Sequence, residues 1–318
     1  MIDGFSGIES VHYETTDPGR DWVKDPFIAV DLDSPTDPMK SCTPNVIRLP
    51  DGGYRMYYTE FGPGRSIAES DCYIKSAISE DCVSWHKEGL RLYMHPPYAT
   101  KSVLCPDVIP LPDGRYRMYY EGRRHKEKGP NVVLSALSED GLTWEPEPGI
   151  RFGDDELSYG APRCLYNEIG DRQLYRMYFH QQTYPMRSEP DAPNVIISAI
   201  SDDGLHFERE AGVRIAKETE RESSNVYAPD VIRLGDGSFR MYYAGVSVEI
   251  SGGVFTAVSQ DGLLWSKDPE VCVDLAGPLE NGLLSEPCVI GLGDGRCRMF
   301  YEACDQDGNF RVLSATSR

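Results

Sequence analysis

A segment of about 60 residues occurs five times along the chain, and this repetition constrains the fold more than any other feature. Each copy has an apolar run, a turn and a second run built around Arg-Met-Tyr or Arg-Met-Phe, as in TPNVIRLPDGGYRMYY and APDVIRLGDGSFRMYY. The arginines of these second runs are Arg55, Arg117, Arg176, Arg240 and Arg298. A repeat of this length, made of short strands and tight turns, is typical of a β-propeller blade.

A second motif shows how the ring closes. The first four copies end in a Ser-x-Asp turn followed by an aromatic residue, as in SEDGLTW, but the fifth copy stops after FRVLSATSR. The N-terminal segment TTDPGRDWVKDPFIAVDL resembles the missing part, because it matches SQDGLLWSKDPEVCVDL of the fourth copy. We therefore predict an all-β fold: a five-bladed β-propeller with four antiparallel strands per blade, in which the N-terminal strand closes the last blade.

The five predicted blades together form a single domain that covers the whole chain. They cover residues 43–95, 96–154, 155–217, 218–276, and 277–318 together with 10–32. Residues that recur in every copy are expected to be structural, because a packing or turn device is needed once per blade and a catalytic group only once. Residues that differ between copies are the candidates for function.

Composition excludes several classes of function. The net charge of −19 opposes binding to phosphate backbones, so we expect no nucleic-acid partner. No apolar run is long enough to span a bilayer and no secretory signal is visible, so we expect no membrane partner and a cytoplasmic location. The nine cysteines lack metal-ligand spacing, so we expect neither a metal site nor a cofactor. The sequence leaves the oligomeric state open.

The connections that vary between copies define the expected functional face. The turn within each first hairpin and the Ser-x-Asp turn are short and alike, whereas the other two connections of each blade differ in length and content. Loops on a rigid scaffold commonly carry function. The start of each first strand and the end of each second strand lie on this variable side, where they should surround the mouth of the central channel.

Three carboxylates at the strand starts are the predicted catalytic groups. Glu286 precedes the Pro that opens its strand, and Asp107 and Asp230 follow the equivalent Pro. Carboxylates crowded into one pocket resist joint ionisation, which creates an acid/base pair. For Asp107 and Asp230 the alternative is that they bond backbone N–H groups at the strand starts. The predicted substrate-binding residues near the same mouth are Asn45, Glu121, Tyr159, Arg163, His180, Tyr227 and Glu302.

The repeated motifs resemble those of a known superfamily. The Ser-x-Asp-Gly turn, the Arg-Met-Tyr-Tyr strand and the Ala-Pro-Asp strand start are similar to those of five-bladed propellers of the arabinanase, invertase and mannoside-phosphorylase type. The resemblance covers essentially the whole chain and implies a glycoside-active enzyme. It also implies three catalytic positions: an Asp in blade one as base or nucleophile, an Asp beside Pro in blade two that orients the reacting groups, and a Glu in blade three as the general acid. Asp107 matches the second of these positions, whereas Asn45 replaces the first, and Gly160 and Arg163 stand where the Glu is expected.

Four functions follow from this partial match. Glu286 and Asp230 could act as the acid and base of a glycoside hydrolase. In a phosphorylase, one acid could act together with a phosphate site built from Arg163 and the basic loop 123–128. The alternative for this loop is that it is a solvated charged loop without a bound anion. The carboxylates could instead protonate a small molecule in a cyclase, lyase or isomerase, and a non-catalytic carbohydrate-binding propeller is the fourth alternative. We predict a glycoside-active enzyme acting on a small-molecule substrate. In it Glu286 is the general acid, Asp107 or Asp230 the base, and Arg163 and His180 the positioning groups.

Overall fold

The structure is a computed structural model that describes residues 13–14, 16–34, 39–64, 70–125, 129–169, 172–187, 189, 191–247, 249 and 252–318. Its strands form five sheets arranged as the blades of a propeller. The predicted fold class is confirmed. The helical content of the described residues is one 3-10 turn, Glu220–Glu222.

Two short strands, β1 (Tyr13–Glu14) and β2 (Trp22–Lys24), precede the first complete blade. Blade 1 contains β3 (Lys40–Arg48), β4 (Tyr54–Gly62), β5 (Asp71–Ser79) and β6 (His86–Leu92). Blade 2 contains β7 (Ser102–Pro110), β8 (Tyr116–Arg123), β9 (Val132–Ser138) and β10 (Glu145–Pro146). Blade 3 contains β11 (Leu157–Ile169), β12 (Arg172–Thr183), β13 (Val195–Ser201) and β14 (Glu208–Arg209). Blade 4 contains β15 (Asn225–Leu234), β16 (Phe239–Val246), β17 (Val254–Ser259) and β18 (Ser266–Lys267), and blade 5 contains β19 (Leu283–Gly291), β20 (Cys297–Cys304) and β21 (Phe310–Ser317).

The N-terminal segment completes the last blade, as predicted. β2 pairs antiparallel with β21, with Trp22 opposite Ser317, so the sheet order is β19-β20-β21-β2. The preceding strand β1 adds a contact that the sequence did not predict: it pairs parallel with the inner strand β15 of blade 4. The N-terminal segment therefore links blades 4 and 5.

Repeated residues fasten neighbouring blades together. The hydroxyl of Tyr57 in blade 1 donates to the carbonyl oxygen of Gly141 in blade 2 over 2.8 Å. Tyr119 and Tyr178 repeat this bond to Gly204 and Gly262 of the next blades, each over 2.9 Å. These tyrosines are fully buried, which agrees with the structural role expected of repeated residues. Blade 5 has Phe300 at the equivalent position.

Each inner strand bulges at the dipeptide that ends in Pro. The strand register shifts there in all five blades. The residue before the Pro has a positive φ close to 50° in each case: Thr43, Cys105, Ala161, Ala228 and Glu286. A bulge re-aims the side chains next to it, and non-Gly residues held in this region carry backbone strain that often marks functional sites.

Within the part of the chain that the structure describes, there is no apolar helix of the length that a membrane span requires.

Candidate functional site

The residues that follow the five bulge prolines form a ring of contacts around the axis. They are Asn45, Asp107, Arg163, Asp230 and Cys288. Each bonds to the next blade: Val108 N donates to Asn45 Oδ1 over 3.0 Å, Cys164 N to Asp107 Oδ2 over 2.7 Å, Val289 N to Asp230 Oδ2 over 2.8 Å and Val46 N to Cys288 Sγ over 3.3 Å. Arg163 supplies the remaining link through Nε, which lies 3.3 Å from Asp230 Oδ1. We call these five residues the lower ring.

Arg163 lies at the centre of the lower ring. Its Nη1 donates to the carbonyl oxygens of Pro106 and Pro162 over 3.2 and 3.1 Å, and Nη2 donates to that of Pro44 over 3.2 Å. The side chain is 2% exposed. Its guanidinium therefore makes four hydrogen bonds to protein acceptors from four blades. The substrate-binding role of Arg163 stays a prediction, and these contacts do not favour it.

Asp107 and Asp230 take the connecting role that the sequence left as an alternative. Both are completely buried, and both accept a backbone N–H from the following blade. Asp107 also accepts a hydrogen bond from the amide of Asn45 over 3.2 Å. The catalytic role of these two carboxylates stays a prediction, and their contacts do not favour it.

A second set of side chains lies at the adjoining strand ends, and we call it the upper ring. Glu121, His180 and Glu302 come from the ends of β8, β12 and β20, opposite Leu104, Gly160 and Ser285 of the inner strands. Glu286 joins them from the blade 5 bulge. All four side chains are between 4 and 7% exposed, so each is largely withdrawn from solvent.

Glu286 and Glu302 form a pair of buried carboxyls. The hydroxyl of Ser285 donates to Glu302 Oε1 over 2.5 Å, whereas Oε2 of Glu286 and Oε2 of Glu302 are buried without a hydrogen-bond partner. Burial raises the pKa of Glu286 well above its ordinary value, and the charge of Glu302 raises it further while Arg163 opposes the shift. Burial also raises the pKa of Glu302. The pair therefore retains a proton more readily than exposed carboxylates do.

Glu121 and His180 form the other half of the upper ring. The amide of Asn131 donates to Glu121 Oε1 over 2.6 Å, and His180 Nε2 lies 3.9 Å from Glu121 Oε2. Burial raises the pKa of Glu121 to about 7 and lowers the pKa of His180 to about 3. The imidazole is therefore neutral at physiological pH, and its Nδ1 is buried without a partner. Glu121 can gain or lose a proton near neutrality.

The two predicted tyrosines occupy different environments. The Tyr227 ring packs edge-on against His180 with the ring centres 6.3 Å apart, so it borders the upper ring. Tyr159 packs against Phe152 and Phe179, and its hydroxyl donates to Asp154 over 2.5 Å. The bulge positions explain the difference, because Tyr227 lies one residue before Ala228 whereas Tyr159 lies two residues before Ala161, and adjacent residues of a strand face opposite sides.

The sequence did not indicate that Asn131 and Ser285 belong to the site. Asn131 orients Glu121, but an Asn also precedes the equivalent strand of blade 3 at position 194, so the residue resembled a repeated structural element. Ser285 gave no signal, since a lone serine beside a strand start is common.

Of the predicted basic loop 123–128, residues 126–128 lie outside the described residues, and Arg124 donates to the carbonyl oxygen of Pro130 over 2.8 Å. Across the described ranges, no group of three His, Cys, Asp or Glu side chains could hold a metal ion.

Comparison with known proteins defines the family of the chain. No family model matches it. The uncharacterized protein MT1551 of Mycobacterium tuberculosis is 33% identical over 231 residues, which cover 66% of this chain and 72% of that protein. The chain belongs to the MT1551 family. A second relative of this MT1551-family chain, the uncharacterized M. tuberculosis protein Rv1502, is 33% identical over 162 residues that cover 49% of the chain and 51% of the relative.

Solved structures share the fold of this MT1551-family chain. A glycoside hydrolase superposes with a TM-score of 0.75 at 18% identity, covering 93% of this chain and 92% of the other. A β-1,2-mannobiose phosphorylase from Listeria innocua superposes with a TM-score of 0.70 at 14% identity, covering 90% and 93%. A thermostable family-43 glycoside hydrolase gives 0.69 at 16% identity, covering 92% and 91%. The resemblance seen in the sequence is thus confirmed for the fold.

Proposed function

We propose that this protein hydrolyses a glycosidic bond at the upper ring, with Glu286 as the general acid and Glu121 as the general base. The observation that carries the proposal is the buried Glu286, whose Oε2 has no partner and whose neighbour Glu302 is a second carboxyl. The solved glycoside hydrolases and mannobiose phosphorylase that share the fold support the choice of substrate class.

The protonation states fit the two roles. Burial and the neighbouring Glu302 keep Glu286 protonated, so it can donate to the leaving-group oxygen. Glu121, with its pKa raised to about 7 by burial, takes a proton from the attacking water. Asn131 holds Glu121 through its 2.6 Å hydrogen bond. Two carboxyls with separate roles are the minimum that glycoside hydrolysis needs.

Water is favoured over phosphate as the attacking group. A phosphorylase requires a cationic phosphate site, but Arg163 already makes four hydrogen bonds to protein acceptors. The upper ring itself presents carboxyls and a neutral histidine, and the charge of the neighbouring Arg123 acts on Glu121. The cyclase, lyase or isomerase alternative expects a single buried carboxyl in an aromatic pocket, whereas three carboxyls meet here, so glycoside hydrolysis fits the geometry better.

The test uses paired substrates that differ in their need for an acid. A panel of 4-nitrophenyl and 2,4-dinitrophenyl glycosides would be assayed with the wild-type protein, Glu286→Gln, Glu121→Gln and the exposed control Glu145→Gln. We expect Glu286→Gln to lose at least ~100-fold in kcat on the poorer leaving group and far less on the better one. Glu121→Gln should lose activity on both, and Glu145→Gln on neither.

Three results would overturn the proposal. One is equal loss by Glu286→Gln on both substrates, and another is product that carries no oxygen from ¹⁸O-labelled water. The third is sugar binding without turnover of any glycoside, which would indicate a carbohydrate-binding propeller instead.

A further inference from the structure

We propose that the group bound between Glu286 and Glu302 is a protonated amine, so that the site takes an amino sugar. This inference rests on the proposed function for the identity of the site and adds the chemical class of the substrate. It starts from charge balance at the upper ring.

Among the described residues, the charge of Arg123 acts on Glu121, whereas the cation that acts on Glu286 is Arg163. Glu286 and Glu302 are buried carboxyls, and the guanidinium of Arg163 is held by Asp230 and three proline carbonyl oxygens. His180 is neutral. Buried carboxylates are stable only when they are paired or protonated. A ligand ammonium would supply the missing positive charge.

The unpartnered atoms match the donors of an ammonium group. Oε2 of Glu286 and Oε2 of Glu302 are buried acceptors without a hydrogen-bond partner, and Nδ1 of His180 is a third buried atom in the same state. A primary ammonium carries three N–H donors. A neutral sugar hydroxyl offers one donor and brings no charge.

Tyr227 provides the aromatic surface that a cation favours. Its ring borders His180, and its hydroxyl is close enough to Glu302 for that charge, after burial, to raise the pKa of the phenol. Carboxylates together with an aromatic ring are a recurrent arrangement for binding organic cations. The ring therefore adds an independent reason to expect nitrogen rather than oxygen in this position.

Binding of a cation should release protons. Burial raises the pKa values of both Glu286 and Glu302, and the charge of Glu302 raises that of Glu286 further, so in the empty site each carboxyl holds a proton more readily than an exposed one does. An ammonium placed between the two carboxyls favours the ionised form of Glu302, while Glu286 keeps the proton that it donates as the general acid. Binding and ionisation are therefore linked, and the linkage can be measured without turnover.

The experiment compares matched sugars on the full-length protein by isothermal titration calorimetry. The probes are glucosamine, mannosamine and galactosamine, each with its parent hexose and its N-acetyl form, at pH 7 in two buffers of different ionisation enthalpy. We expect at least one amino sugar to bind about tenfold or more tightly than both of its neutral counterparts. The buffer comparison should show proton release on binding.

Variants distinguish the cation site from general sugar binding. Glu302→Gln should abolish the preference for the amino sugar and the proton release, whereas the exposed control Glu145→Gln should retain both. Equal affinity for amino and neutral sugars, absence of amino-sugar binding, or a preference that persists in Glu302→Gln would overturn the inference. Because the wild-type comparison needs no variant, poor folding of Glu302→Gln would not obscure the result. Amino-sugar binding without glycoside turnover would contradict the proposed function alone, and turnover of neutral glycosides with equal affinities would contradict the amine alone.

Discussion

Gly160 lies so close to Glu121 that a methyl group on its Cα would be 1.8 Å from Oε2 of that carboxylate. The same methyl group would be 2.8 Å from Nε2 of His180. The missing side chain of Gly160 thus leaves the space that two groups of the upper ring occupy. The Glu expected near this position from the superfamily pattern is absent, and the side chain of Glu121 from the preceding blade occupies the space next to Gly160.

Gly160→Ala should therefore displace Glu121. We expect kcat/KM to fall by about 100-fold, because small displacements of a catalytic group are costly. Overpacking should lower the free energy of unfolding by about 1–3 kcal/mol. Kinetics on the best glycoside and urea denaturation measure the two effects. In the control Gly53→Ala the nearest approach is 3.3 Å, at a turn, so its activity should be unchanged; equal loss in both variants would contradict the steric explanation.

The raised pKa of Glu121 has a defined effect on stability. Burial raises this pKa from 4.5 to about 7, so the folded state binds a proton more tightly than the unfolded state. The resulting stabilisation is present below pH 4.5 and is lost as the pH rises through 7.

Glu121→Gln removes this titration. Relative to the wild type, its free energy of unfolding should increase by roughly 2 kcal/mol between pH 5 and pH 8. Urea denaturation at the two pH values measures the difference. The exposed control Glu145→Gln should show no such trend, and a difference that does not change with pH would contradict the assignment.

The sequence predicted the fold well because the repeat fixes both the strand register and the closing strand. It also placed Glu121 and Glu302 together, since these residues break the repeat at strand ends that meet around the axis, but it grouped Glu286 with Asp107 and Asp230 instead. It could not distinguish Asp107 as a connector from Asp107 as a catalytic group, because the partner of that carboxylate is a backbone N–H of another blade. The faces of Tyr159 and Tyr227 likewise depend on distance from the bulge rather than on residue type.

The lower ring should be a large source of stability. Asp230 and Arg163 form an ion pair whose side chains are 0 and 2% exposed, so Asp230→Asn removes the carboxylate that pairs with a buried guanidinium and leaves Asp107 as the remaining lower-ring carboxylate that acts on it. We expect a loss of about 3–5 kcal/mol in the free energy of unfolding. Asp113→Asn breaks the exposed pair with Arg115 and should cost less than about 0.5 kcal/mol. Similar costs for the two variants in urea denaturation would contradict the connecting role of the ring.

Closure of the propeller should depend on one N-terminal carboxylate. Asp25 Oδ2 accepts hydrogen bonds from Arg298 Nε over 3.1 Å and from the Ser314 hydroxyl over 2.7 Å, and Oδ1 accepts one from Thr316 over 2.8 Å. Asp25→Ala removes these three side-chain hydrogen bonds, so the free energy of unfolding should fall by about 3 kcal/mol. The control Asp21→Ala changes an exposed carboxylate of the same segment and should stay within about 0.5 kcal/mol of wild type. If thermal and urea denaturation show equal stability for the two variants, the carboxylate of Asp25 does not hold the ring closed, and the backbone hydrogen bonds between the N-terminal segment and β21 must do so instead.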